Sequence, residues 1–175
     1  MKNFFPKQGF TLIELLVVIS VIGLLSSVVL VSVAGVRAQA RDARRKQDLR
    51  QIRMALDIYY ADYEKYPPAG GCAYGANCYV YSTSGSNWIP ALTTAGYLKS
   101  LPVDPRNNAS SPWTTGNYSY AYGNVSTDGQ FFDLTTQLEN PNDPDRCAVK
   151  KYKFYFDNHL WCGAYSGQIY EYSPP

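Results

Sequence analysis

Residues 10–36 form a run of 27 residues whose only charged member is Glu14, and no proline interrupts the chain between Pro6 and Pro67. As a helix the run would extend roughly 40 Å at about 1.5 Å per residue, enough to cross a bilayer core of about 30 Å. A carboxylate in hydrocarbon is expensive, so Glu14 needs a partner or a purpose. The short leader ahead of the run carries Lys2 and Lys7. An ordinary secretory signal would end at a small-residue cleavage site, and Ala38 with Ala40 would supply one. The length of the run, its internal Glu14 and a helical pattern that continues past Ala40 argue against that reading.

The continuation is amphipathic. Leu49, Ile52, Leu56, Tyr59 and Tyr63 recur at steps of three and four and make one apolar stripe. "YPPAGG" at 66–71 then stops the helix. A single helix over 11–64 is expected, roughly 80 Å long at about 1.5 Å per residue. Gly23 and Gly35 weaken it in water but permit close helix contact in a membrane.

Residues 67–117 read as an irregular connection rich in Gly, Ser, Asn and Tyr, with a short helix at 90–95 that Pro90 starts and Gly96 ends. "YSYAYG" (118–123), "QFFDLTTQL" (130–138), "KYKFYFD" (151–157) and "GQIYEY" (167–172) read as strands, with turns at "TDG" and "DNH". The expected fold is α+β: a long N-terminal helix, half transmembrane and half amphipathic, packed on a small antiparallel sheet. Its divisions are a leader (1–9), a membrane or filament-core helix (10–36), its amphipathic continuation (37–65) and a small C-terminal domain (66–175).

Charge divides along the chain. Residues 37–50 hold six basic side chains against Asp42 and Asp48, a local net of +4, whereas residues 51–175 have a net of −3. The belt of Arg37, Arg41, Arg44, Arg45, Lys46 and Arg50 suits anionic lipid headgroups or the acids of neighbouring subunits. DNA is not expected there, because no aromatic platform for single strands is interleaved with the charges. The belt also opposes the positive-inside rule, so charge count alone does not place the N-terminus in the cytoplasm.

The four cysteines, Cys72, Cys78, Cys147 and Cys162, suit an oxidising compartment. Three pairings exist, and proximity favours Cys72 with Cys78 and Cys147 with Cys162; a four-thiolate zinc site is the alternative, without CxxC spacing to support it. Enzyme chemistry is not expected, since His159 is the only histidine and no nucleophile–base grouping is visible. No cofactor is expected on the same grounds.

A cut after Gly9 would expose an α-amine on Phe10, four residues before Glu14 and on the same helix face. Within one chain the first turn is a poor place for a tight pair. In a helical assembly with axially staggered subunits, a neighbour's amine could meet Glu14 and neutralise both charges.

"KQGFTLIELLVVISVIGLL" (7–25) resembles the processing and assembly segment of type IV pilins and type II secretion pseudopilins. The resemblance implies a pilin-like fold, cleavage between Gly9 and Phe10 by a prepilin peptidase, and N-methylation of Phe10. It implies Glu14 as the assembly residue and burial of the apolar helix in a filament core. Its expected partners are identical or related pilin subunits, the prepilin peptidase and N-methyltransferase, an inner-membrane assembly platform and, before assembly, membrane lipid. The expected location is the bacterial inner membrane, as a single-pass protein with its C-terminal domain outside the cytoplasm, and then a filament. "LRQIRMALDIYYADYEKYP" (49–67) and "GYLKSLPVDPRN" (96–107) are similar to the major pseudopilin of type II secretion. The function expected is therefore a structural subunit of a type IV pilus-like filament; the alternatives are the major pseudopilin of a type II secretion system and a competence pseudopilin. Pseudopilins of this kind hold calcium in a late acidic loop. Asp128, Asp133, Asp143 and Asp145 are the candidates here, but their spacing lacks the alternating oxygens of a dedicated calcium loop.

Overall fold

The computed structural model describes residues 9–70, 72, 78–124, 126–147 and 169–172, without the side chains of residues 27–32, 169, 171 and 172. Two compact units divide the chain, residues 1–37 and 38–175. The first helix, α1, runs Leu12–Tyr63. Its boundaries fall within one residue of those read from the pattern.

In the second unit the stripe of α1 is the base of the core. Leu49, Ile52, Ala55 and Leu56 are buried together with Trp88, Ile89, Leu92, Tyr120, Tyr122, Phe132, Leu134 and Tyr170. Tyr59 is half-buried, but Tyr63, at the end of the stripe, stays 50% exposed and stacks on Tyr59 at 4.4 Å between ring centroids. The short helix α2, Pro90–Thr94, begins with its proline as read and drives Leu92 into that core.

The sheet has four antiparallel strands in sequence order: β1 (Val80–Tyr81), β2 (Ala121–Asn124), β3 (Phe132–Gln137) and β4 (Ile169–Tyr172). The expected strand over 151–157 and the "DNH" turn lie outside the described residues. Strand β1 corrects the reading of 67–117 as irregular apart from the helix at 90–95. It is only two residues long, and its pairing with β2 (Val80 opposite Tyr122) is made across forty positions of sequence that no local pattern announces.

All six residues of β3 are buried, although the strand alternates apolar and polar. Phe132 and Leu134 face the core shared with α1. On the alternate positions, Asp133 accepts the Tyr79 hydroxyl at 2.9 Å. Gln137 donates to the carbonyls of Pro112 and Thr114, the latter at 2.7 Å. The connection between β1 and β2 therefore covers the second face of the sheet, with Trp113 edge-on to Tyr79 at 5.1 Å. Gly123 permits this layer, because a Cβ there would lie 2.6 Å from the Tyr79 ring.

Candidate functional site

The first unit presents the junction. Gly9 and Phe10 precede α1, and Phe10 is 85% exposed. A side chain added at Gly9 would meet nothing within 4 Å, and Gly9 does not occupy the left-handed backbone region. Among the described residues nothing requires glycine at that position.

Thr11 and Glu14 start the helix together. The Glu14 carboxylate accepts the Thr11 backbone N–H at 2.8 Å and its hydroxyl at 2.7 Å, while the Glu14 N–H donates to the Thr11 hydroxyl at 3.3 Å. This is a capping box, which satisfies two amides otherwise left without partners at a helix N-terminus. The T-x-x-E signal is legible in the sequence, yet reading Glu14 only as an assembly charge overlooks Thr11. Within its own chain Glu14 is answered by Thr11.

Past that turn the described large apolar residues are exposed all round the helix, Leu12, Leu15, Leu16, Val18, Ile19 and Ile22 among them. Among the described residues no helix is long and apolar enough to cross a membrane.

The second unit turns the basic belt inward. Arg45 is fully buried and forks onto Asp104 through Nε (2.7 Å) and Nη2 (3.0 Å), while its Nη1 reaches Asp42 and Glu139 at 2.7 Å each. Arg41 grips Glu139 with two bonds of 2.7 and 2.6 Å. Asp42 in turn accepts the backbone N–H groups of Glu139 (2.9 Å) and Asn140 (2.7 Å). The Tyr118 ring lies between the guanidiniums of Arg45 and Arg106, 4.6 and 4.4 Å from its centroid. Lys46 bridges Asp143 (2.6 Å) and Asp145 (2.7 Å). Arg41, Arg45 and Lys46 thus tie the domain to its helix; of the belt, Arg37, Arg44 and Arg50 remain exposed. The spacing 42, 45, 49, 52, 56 continues the apolar stripe backward at three and four. That is the signal which marks Asp42 and Arg45 as inward-facing.

Electrostatics follow from this matching. Burial alone would raise the Glu139 pKa, but the bonds from Arg41 and Arg45 outweigh it and lower it from 4.5 to about 2. A carboxylate shifted downward stabilises the fold above its unfolded pKa, and that contribution is lost as pH falls from about 4.5 through about 2. Burial opposes the charge on Lys46 as well, and its two aspartates hold its pKa above the ordinary value.

The four calcium candidates do not converge. Asp128 accepts the backbone N–H of Gln130 in a turn, Asp133 sits in β3 facing Tyr79, and Asp143 and Asp145 hold Lys46. Among the described residues no group of three or more His, Cys, Asp or Glu side chains is placed to hold a metal. Cys72 and Cys78 are joined by a disulfide. Cys147 is buried and disulfide-bonded, while Cys162 and His159 lie outside the described residues.

An exposed Gly9–Phe10 junction, a capped apolar helix and a charge-matched α+β domain are the features of a pilin-like chain. The model of the prokaryotic N-terminal methylation motif matches residues 5–30. Type II secretion system core protein G of Pseudomonas aeruginosa is 34% identical over 127 residues, which are 70% of this chain and 87% of the relative. The proteins of that name from Aeromonas hydrophila (30% over 112 residues; 64% and 76%) and Escherichia coli (32% over 102 residues; 58% and 68%) are also similar. No solved structure matches the chain. The chain belongs to the type II secretion system core protein G family. Those relatives favour the pseudopilin alternative over the broader pilus reading.

Proposed function

We propose that this chain is the major structural subunit of a type II secretion pseudopilus. A prepilin peptidase removes residues 1–9 and the new Phe10 amine is methylated. Residues 10–36 hold the subunit in the bacterial inner membrane, with the domain outside the cytoplasm, until an assembly platform draws it into a filament of identical or related subunits. In the filament Glu14 meets a neighbour's Phe10 amine. Both charges then leave water as a pair, which an unmatched carboxylate could not do cheaply.

The observation that carries this reading is the reach of the likeness. The methylation motif matches residues 5–30, and the similarity to core protein G extends over 70% of the chain. Two features support it. Contiguous exposed apolar surface of the size seen in the first unit is rare on a monomer in water and calls for lipid or protein cover. No described residue demands glycine at position 9, and a processing enzyme accounts for it.

Deleting the gene tests the choice among filaments. Exported enzymes should then stay with the cells instead of reaching the medium, while surface piliation and DNA uptake are unchanged. Normal secretion with lost piliation or lost DNA uptake would contradict the pseudopilus reading.

A further inference from the structure

We propose that Lys46 is the resident cation of the turn at 139–146, taking in this chain the place that a divalent metal would hold in an acidic loop. The turn reads "ENPNDPDR", with three carboxylates in seven positions. Such a loop repels itself unless something positive gathers its oxygens, and calcium does so with about 6–8 oxygen ligands.

The oxygens here are already committed. Lys46 Nζ donates to Asp143 Oδ1 at 2.6 Å and to Asp145 Oδ2 at 2.7 Å. That same Asp143 oxygen accepts the Asp145 backbone N–H at 2.9 Å, so the ammonium draws together a turn that also closes on itself. Glu139, the third carboxylate, is drawn away by Arg41 and Arg45. Among the described residues no third acidic side chain is left to complete an oxygen cage, and an ammonium with three donors suits two carboxylates better than a calcium ion does.

Lys46 is also seated. Its side chain is only 15% exposed, and Nζ stands 5.7 Å from the centroid of the Tyr170 ring in β4, within cation–π reach. One side chain of α1 therefore fixes the turn before Cys147 and touches the edge of the sheet. The stability of this turn should be independent of calcium and dependent on one lysine.

The test uses the full chain in detergent, with thermal unfolding followed by near-ultraviolet circular dichroism in EGTA and in millimolar calcium. The wild-type midpoint should be the same in both. Lys46→Met should melt lower in EGTA by about 4 °C, and calcium should recover part of the loss by entering between Asp143 and Asp145. Calorimetric titration of the wild type with calcium should show no saturable heat, a readout that stands even if the variant fails to fold. Saturable calcium binding or a calcium-shifted midpoint in the wild type would overturn the proposal. So would a Lys46→Met chain that melts like the wild type, or one that calcium does not raise.

Discussion

Glu14 and Asp42 are carboxylates on the same helix, yet Glu14 is bonded three residues away and Asp42 is bonded to amides 97 and 98 residues away. Around Glu14 the bonds are local, and the apolar side chains that follow are exposed. Around Asp42 one bond is local, from Arg45, but those to the amides are long-range, and Arg41, Arg45 and Lys46 are each matched to acids from the far end of the chain. A long-range match must be built by folding. A local cap forms with the first turn and leaves the rest of its surface to be satisfied from outside the chain. The comparison teaches where specificity resides: inside the chain for the domain half of α1 and, on the proposed pseudopilus reading, between subunits for the apolar half.

The largest expected effect comes from removing the outward charge while keeping the inward cap. In Glu14→Gln the amide oxygen still accepts from Thr11, so the capping box survives and only the charge is lost. We expect normal leader removal, membrane insertion and melting midpoint, but no filaments by electron microscopy. Filaments of normal number and length would erase the difference between the two halves.

Arg45→Met gives the converse, smaller effect. It leaves Asp104, Asp42 and Glu139 crowded in a dry site with their shared cation gone, and should cost about 3–5 kcal/mol of domain stability. Urea unfolding of the full chain reads it directly. Leader removal should persist, because the junction is not part of the network. A variant as stable as the wild type would show that the buried quartet is dispensable.

Much of this was legible in residue spacing. The helix ends, the proline-led α2 and the strands at 121–124, 132–137 and 169–172 all carry local signals: periodicity, proline, alternation. What the spacing hides is set by distance. Strand β1 exists because Val80 and Tyr81 find Tyr122 and Ala121, and no two-residue stretch shows alternation. The belt of six positive charges within fourteen residues reads as a run facing lipid headgroups or the acids of neighbouring subunits. The backward continuation of the stripe through 42 and 45 hints that Arg45 faces inward, but its partners Asp104 and Glu139 come from elsewhere in the sequence. Thr11 was visible beside Glu14 and needed only the capping rule.

The central claim is that one helix stays whole, giving its C-terminal half to its own domain and its N-terminal half to the filament. Intact-mass and N-terminal analysis of subunits from purified filaments tests this most directly. The account predicts one species that begins at Phe10, carries a methylated amine and retains residues 10–36. Subunits that begin at Met1, or past Ala40 with the apolar half removed, would contradict it.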